Sequence, residues 1–201
     1  SQAADRRETV VAAARALARK YHSEDAHIEK VRELAVSIFD QIAPLHGLGA
    51  EERVLLEAAA LLHDIGAFVS ASAHHKHAHY LIRASDVVGL GPDEREIVAQ
   101  IARYHRRSHP KRSHPPYMTL PRDRRDVVSK LAAILRLADA LDREHQSAVA
   151  RVEAKVTKRG LELAPVAAKG VKGDLALERW AVKRKGSLFE EAFGLPVQVE
   201  S

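Results

Sequence analysis

Apolar side chains recur at intervals of three and four along residues 1–146, which is the spacing of one face of an α-helix. This pattern predicts six helices. Four of them cover residues 6–21, 51–62, 76–85 and 124–145. Of the other two, one is capped by Ser23 and ends before Pro44, and one begins after Pro92 and carries Tyr104.

Residues 106–125 interrupt this pattern. They contain four prolines and many arginines and lysines, and their apolar residues show no helical spacing. Proline removes a backbone donor and disfavours a helix in the residue before it. The segment is therefore predicted to be a loop.

The spacing changes after Gln146. Apolar and charged residues alternate along 152–156 and again at 161–163, which predicts a β-hairpin. A short helix opened by Asp174 follows, then a helix with a capping box from Ser187 and Glu190 that ends at Gly194, and a last strand at 196–199. We therefore expect a mostly α fold, a helical bundle at 1–146 with a small α+β domain at 147–201.

The composition restricts the class of protein. Hydrophobic residues make up 46% of the 201 residues and charged residues 29%, which is typical of globular rather than disordered chains. The sequence has neither an apolar run long enough to span a membrane nor a signal-peptide pattern, so we expect no membrane partner and a cytoplasmic location.

Charge and cysteine content bear on ligands. Lysine and arginine exceed aspartate and glutamate by 32 − 27 = 5, which suits an anionic partner and equally suits a solvated surface. Cysteine is absent, so any metal must be held by histidines and carboxylates.

The adjacent pair His63–Asp64 follows an apolar run and is the first candidate for metal binding. Alone, such a pair at a helix end is weak evidence. His27 shares a helical face with Val31 and Leu34, so it should point into the bundle, either as a ligand or as a core histidine satisfied by a hydrogen bond.

Asp139 follows Leu135 by four residues on an inward-facing stripe. A buried carboxylate is costly unless it is paired or bound to a cation. It could form an ion pair with Arg136 or Arg143, but a shared metal explains four inward ligand-type residues on three helices more simply. His27, His63, Asp64 and Asp139 are therefore the predicted ligands of one ion.

His74 and His105 are candidates for a second ion, which Asp64 would bridge to the first. Such nitrogen and oxygen ligands suit one or two divalent cations, with Mn, Fe, Mg, Co and Zn all possible. The neighbouring histidines have other expected roles: His75 is an alternative to His74, whereas His77 and His79 should lie at the surface or behind the ligands.

An isolated histidine, a His-Asp pair and a distal aspartate on a helical bundle resemble the HD-domain superfamily of metal-dependent phosphohydrolases. The additional histidines resemble the two-metal branch of that superfamily. The resemblance implies a helical HD-type bundle that binds divalent metal and hydrolyses phosphate esters or anhydrides.

A closer resemblance covers nearly the whole chain. Residues 58–66, 74–83, 101–107 and 135–143 look like the C-terminal region of the exopolyphosphatase/guanosine pentaphosphate phosphohydrolase (Ppx/GppA) family, and residues 175–194 are similar to that family's tail. In this family the exopolyphosphatase chemistry belongs to an N-terminal actin-like module that this sequence lacks. The chain is therefore expected to be either a C-terminal portion or a stand-alone HD protein, and its intact ligand set favours metal binding.

The resulting hypothesis is a metal-dependent phosphohydrolase whose substrate is a nucleotide, a guanosine tetraphosphate-like molecule or polyphosphate. The cations would lower the pKa of a bound water, and Asp64, the candidate catalytic residue, would orient that water. Cations near His105 and Asp139 would hold the substrate's phosphates, unless they only form a solvated loop. These are Arg103, Arg106, Arg107, Lys111, Arg112 and Arg143.

Two other functions fit the same residues. The first is a non-catalytic module that binds polyphosphate or a nucleotide and forms a homodimer, which Ala67 slightly favours because many HD enzymes carry a charged residue there. The second is nucleic-acid binding through residues 106–125. It ranks last because Tyr117 is the only aromatic residue in that segment and no stacking pattern is present.

Overall fold

The computed structural model describes residues 1–200 and contains a helical bundle followed by a small α+β part. The expectation of a mostly α fold with a small C-terminal α+β part is confirmed. The helices of the bundle are α1 (Gln2–Lys20), α2 (Asp25–Gln41), α3 (Ala43–His46), α4 (Ala50–Leu62), a 3₁₀ helix (Ile65–Phe68), α5 (His74–Ala84), α6 (Pro92–Arg103), α7 (Pro115–Met118) and α8 (Arg122–Leu141).

Helix α4 lies at the centre of the bundle and contacts α1, α2, α6 and α8. Its three consecutive alanines, Ala58 to Ala60, are fully buried, as are Leu61 and Leu62 that follow. Small side chains let neighbouring helices approach α4 from several sides, so the end of this helix lies deep inside the protein.

The starts of α1 and α2 differ from the prediction in their capping residues. Helix α1 begins at Gln2 rather than residue 6, because the Ser1 hydroxyl accepts a hydrogen bond from the Ala4 amide and caps it. Ser23 does not cap α2, whose N-cap is Glu24. The Ser23 amide instead donates to Ala18 O at the end of α1, and its hydroxyl is buried without a partner.

Proline-containing segments hold two short helices that the sequence did not predict, α3 and α7. In both, proline occupies the first turn, where a missing amide hydrogen costs nothing. The prediction of an entirely irregular loop at 106–125 is therefore wrong. Helix α8 ends at Leu141 rather than residue 145, because Asp142 leaves the helical conformation with φ of −120° and ψ of 37°.

The predicted hairpin and last strand are confirmed. Strands β1 (Val149–Thr157) and β2 (Gly160–Ala167) are antiparallel, and β3 (Val197–Val199) pairs with β2 in parallel, so the order within residues 1–200 is β1-β2-β3. Gly160 has φ of +119°, and a Cβ there would lie 2.2 Å from Pro196 O. Glycine therefore permits the close approach that brings β3 alongside β2.

Both predicted capping residues of the C-terminal helices are wrong. Helix α9 (Ala176–Lys185) has Leu175 as its N-cap instead of Asp174. Helix α10 (Ser187–Phe193) includes Ser187 in its first turn, where the hydroxyl interacts with His109 Nε2 at 3.2 Å rather than forming a capping box. Gly194 ends α10 in a left-handed conformation, as predicted.

The α+β part packs directly on the bundle. Helices α9 and α10 contact α8, and β1 contacts α2, where the Gln41 side chain donates to Val152 O (2.9 Å) and accepts from Ala154 N (2.8 Å). Leu161 and Phe189 are buried in the same apolar cluster as the helices. The boundary at residue 147 stays a prediction about independent folding units.

Among residues 1–200, none of the helices combines the length and apolar character that crossing a bilayer requires.

Candidate metal centre

The six predicted metal ligands come from five places in the chain and meet at one point. His63 and Asp64 lie at the junction between α4 and the 3₁₀ helix. The other four lie on the surrounding helices: His27 on α2, His74 at the start of α5, His105 directly after α6, and Asp139 on α8.

Gly66 sets the approach of α5 to this junction. A Cβ at this position would lie 1.8 Å from His74 O and 2.6 Å from Ala78 N, both backbone atoms. Only glycine therefore lets the start of α5 pack against the 3₁₀ helix, and this contact carries His74 toward Asp64.

The ligand atoms form two groups that share Asp64. Donor atoms of His27, His63 and Asp64 lie within 4.8 Å of one another, and so do those of Asp64, His74 and His105. Asp139 Oδ1 completes the first group, 3.1 Å from His27 Nε2 and 3.4 Å from His63 Nε2. The arrangement matches the two predicted sets of ligands residue by residue.

Hydrogen bonds on the far side of three imidazoles fix their orientation. His63 Nδ1 lies 2.6 Å from Ala60 O, and His105 Nδ1 lies 2.5 Å from Ala102 O. Since a carbonyl only accepts, each Nδ1 donates, and each Nε2 is left with a lone pair directed at the site. His27 Nδ1 similarly lies 2.7 Å from Asp142 Oδ2.

The arrangement fits a bound cation. His63 Nε2 is buried and has no hydrogen-bond partner within the described residues. A buried lone pair without a partner is costly, and a divalent cation between it and the neighbouring carboxylates would remove that cost. Metal-binding histidines usually donate their other nitrogen to a carbonyl or carboxylate, as these three do.

The electrostatics also favour a cation. Burial alone would keep Asp139 neutral, but its hydrogen bond with His27 and the adjacent His63 ring hold its pKa well below the usual range. Burial opposes protonation of His27, yet its hydrogen bonds with Asp139 and Asp142 outweigh this effect and raise its pKa to about 10. The carboxylates are thus charged and draw a positive charge to the site, either a proton on His27 or a metal.

His105 is electrostatically different. Burial, followed by repulsion from His63, lowers its pKa to about 3. His105 is therefore neutral at physiological pH and ready to act as a ligand without losing a proton.

Four of the six predicted ligands, Asp64, His74, His105 and Asp139, line an open cavity of about 1040 Å³. Five basic side chains line another part of its wall: Arg106, Arg107, Arg143, Arg184 and Lys185. Tyr21, His22 and Phe68 form an aromatic wall, in which the Phe68 ring stacks on His22 with centroids 5.8 Å apart. The cavity therefore offers a metal centre, a basic wall and an aromatic wall to one ligand.

The predicted phosphate-binding residues are only partly brought together. Arg106, Arg107 and Arg143 line the cavity, whereas Arg103, Lys111 and Arg112 do not. Arg103 lies on the other side of α5, where its guanidinium donates to His79 Nδ1 at 3.3 Å. Arg184 and Lys185 were missed, because nothing in the local pattern of α9 indicates that its last turn reaches the cavity.

The alternatives left open by the sequence also have clear positions. His74, rather than His75, reaches the metal centre, while His79 pairs with Glu96 behind it. Arg136 does not pair with Asp139. Its guanidinium is buried and donates to the carbonyls of Tyr104, Arg107 and Ser108.

Asp142 is a further residue that the sequence did not assign. It is buried, and one oxygen contacts His27 while the other accepts from the Ser147 amide at 2.9 Å. Its spacing of three residues from Asp139 on α8 was the available signal, since residues three apart share a helical face.

Comparisons with known proteins agree on one family. The family model described as "Ppx/GppA phosphatase, domain III" matches residues 7–185. A guanosine-5'-triphosphate,3'-diphosphate pyrophosphatase of Pseudoalteromonas atlantica is 27% identical over 119 residues, which cover 59% of this chain and 23% of that protein. The proteins of the same name from Aeromonas hydrophila and Aeromonas salmonicida are 33% identical over 86 residues and 32% identical over 82 residues.

The match with the A. hydrophila protein covers 42% of this chain and 17% of that protein. The match with the A. salmonicida protein covers 40% of this chain and 16% of that protein. The chain thus corresponds to only about a fifth of the length of these relatives. The family match, in contrast, extends from α1 to the end of α9 and includes all six residues of the metal centre. The chain therefore belongs to the Ppx/GppA phosphatase family, in which it matches domain III.

Proposed function

We propose that this chain is a metal-dependent phosphohydrolase of the HD type that acts on a phosphate ester or anhydride. The observation that carries the proposal is the buried, unpartnered Nε2 of His63 at the centre of three other histidines and two aspartates. The names of the relatives support a phosphorylated nucleotide as substrate.

His27, His63, Asp64 and Asp139 would hold one divalent cation, and Asp64, His74 and His105 would hold a second. Mn, Fe, Mg, Co and Zn all suit this donor set. Such cations supply Lewis acidity, which lowers the pKa of a water and neutralises charge on phosphate oxygens.

The chain's own residues prepare the reaction. Ala60 O, Ala102 O and Asp142 hold three imidazoles in one orientation each, so the ligand nitrogens need not reorganise. Asp64, whose side chain is partly exposed to the cavity, would orient the attacking water toward phosphorus.

The basic wall would bind the phosphates. Arg106, Arg107 and Arg143 face the same cavity as the ligands, and Arg184 and Lys185 extend the wall from α9. Guanidinium groups form paired, charge-assisted hydrogen bonds with phosphate oxygens, which would place phosphorus in front of the metal centre.

A non-catalytic binding module is the second candidate. It is favoured by Ala67, which lines the cavity without adding a charged group, and by the small share of the relatives' length that the chain covers. In this reading the same walls would bind polyphosphate or a nucleotide without turnover, and a homodimer stays a prediction.

One experiment separates the two functions. Metal-stripped protein is reloaded with Mn²⁺ or Fe²⁺, its metal content is measured, and it is assayed on p-nitrophenyl phosphate, nucleotides and tripolyphosphate. We expect metal-dependent turnover that Asp64→Ala reduces by at least about 100-fold. Asp126→Asn, an exposed aspartate on α8, is the control that should leave turnover unchanged.

Tight metal binding without turnover on any of these substrates would favour the binding module. Protein that neither contains metal after purification nor takes it up would contradict both functions.

A further inference from the structure

A second, smaller cavity lies on the other side of the first turn of α5. Its volume is about 90 Å³, and it is lined by His75, Lys76, Arg103, Tyr104, Ser108 and His114. His74 lines the large cavity and His75 the small one, because consecutive residues of a helix point about 100° apart. The two cavities therefore share a helix turn but have different walls.

The small cavity is lined by basic and donor side chains, and none of its lining residues carries a carboxylate. Glu96, the carboxylate of the adjoining α6 face, is already engaged by His79 at 3.1 Å and Arg83 at 2.8 Å. Within residues 1–200, neither Lys76 nor Arg103 takes part in the ion pairs that Glu96 forms. Their charges are therefore left for a ligand.

His75 is the buried member of this set. Its side chain is only 9% exposed, and its Nδ1 has no hydrogen-bond partner among the described residues. A buried polar nitrogen without a partner has lost its hydrogen bond with water and gained nothing in exchange. A native protein normally avoids this loss with a ligand or an ordered water, so His75 itself points to an occupant.

Hydrogen bonds hold three of the other lining residues, Arg103, Tyr104 and His114, in place. Arg103 donates to His79 Nδ1, which directs the other nitrogen of that ring to Glu96. Tyr104 Oη lies 2.7 Å from His114 Nδ1. If the phenol donates, His114 carries its proton on Nε2 and can donate that proton to a ligand.

The local potential is positive. Burial and the nearby Arg103, Lys111 and Lys76 lower the pKa of His114. Arg136 stabilises the cavity's remaining side by donating to Arg107 O and Ser108 O, which anchors the backbone that carries Ser108.

We propose that this cavity binds a single tetrahedral oxyanion, either inorganic phosphate or one terminal phosphate group, at a site separate from the metal centre. The volume limits the ligand. A water occupies roughly 30 Å³ of liquid volume, so 90 Å³ holds about three waters or one phosphate group, but no nucleoside.

The site can be tested by histidine side-chain ¹⁵N NMR on the full chain, titrated with orthophosphate and, separately, with tripolyphosphate. We expect the His75 and His114 resonances to shift with one common dissociation constant. Arg103→Gln should raise that constant by about tenfold, because one charge-assisted hydrogen bond is lost. Arg122→Gln, at an exposed arginine at the start of α8 that does not line the cavity, is the matched control and should leave it within about twofold.

The two titrations distinguish the sources of the phosphate. Shifts with orthophosphate alone assign the site to free phosphate, and shifts with tripolyphosphate assign it to a chain end. Shifts confined to His74 and His105, or shifts at His75 that Arg103→Gln leaves unchanged, would overturn the proposal. Circular dichroism of each variant verifies that it folds, and Arg103→Lys should restore part of the affinity.

Discussion

Asp142 holds the His27 ring on the side that faces away from the other predicted ligands. This buried carboxylate contacts His27 Nδ1 and also binds the Ser147 amide. A partner of this kind fixes the tautomer and raises the basicity of a ligand histidine. The second function of Asp142, holding the chain after α8, makes an isosteric substitution preferable to alanine.

We predict that Asp142→Asn lowers the affinity for Mn²⁺ by about 10- to 100-fold, since the amide keeps the bond to Ser147 but no longer fixes His27 by charge. The measurement is competition with a chelator of known affinity. Asp126→Asn on the same helix is the control. An unchanged affinity would mean that His27 is not a ligand or needs no support.

A second prediction concerns the metal-free protein and pH. The pKa of His27 is about 10 in the folded protein against an ordinary value of 6.5. Protonated His27 therefore stabilises the folded state. Its contribution to the free energy of unfolding is fully present below about pH 6.5 and is lost as the pH rises toward 10. We expect the melting temperature of the metal-free protein to fall across this interval.

The decrease should be smaller in His27→Gln, which has no proton to lose, and in metal-loaded protein, where a cation replaces the proton. Thermal melts at several pH values measure it. Equal slopes in wild type and His27→Gln would exclude His27 as the source.

At the scale of elements, the 3₁₀ helix between α4 and α5 contributes to two walls of the site. It follows Asp64 directly and ends with Phe68, whose side chain is 56% exposed although it lines the cavity. An exposed aromatic ring opposite a basic wall suits a molecule that carries both a base and phosphates, because bases stack on aromatic side chains.

We predict that Phe68→Ala weakens the binding of guanosine nucleotides by about tenfold and leaves tripolyphosphate binding unchanged. Calorimetric titration measures both. Val69→Ala is the matched control, since Val69 is 55% exposed but does not line the cavity. Equal losses for both ligands would mean that Phe68 supports the fold rather than a base.

Elements differ in how well their sequence specifies them. The helices and the hairpin follow from apolar spacing, because burial of one face decides their type. The caps at Ser23, Asp174 and Ser187 did not follow. Ser187, for example, contacts His109, which lies 78 positions away and cannot be inferred from the local sequence.

The clustering of the six predicted ligands followed from the sequence because unusual residue types sit on inward-facing positions. The positions of the basic residues were harder to predict from the sequence. The cavity that Arg103 lines depends on which side of α5 it faces, and the position of Arg184 depends on how α9 packs on the bundle. The spacing of apolar residues predicts neither position.

At the scale of the whole molecule, the C-terminal part completes the cavity. Helix α9 packs on α8 and provides Arg184 and Lys185, while Leu188 and Phe189 of α10 are buried in the common core. We predict that a fragment of residues 1–146 keeps its helical content but melts at a lower temperature than the full chain, because the face of α8 becomes exposed.

Circular dichroism melts of both lengths measure this difference, and phosphate titration measures the loss of the basic wall. An identical melting temperature would support two independently folding domains.

The bond between Gln41 and β1 has a consequence for solubility. The outer side of an outermost strand presents unpaired amides and carbonyls, which readily recruit strands from other chains. On β1, the Gln41 side chain donates to Val152 O and accepts from Ala154 N, which are the bonds that a neighbouring strand would form. At the opposite side of the sheet, β3 is only three residues long. A helix side chain thus protects the sheet against strand addition, and Gln41→Ala would favour aggregation without touching the metal centre.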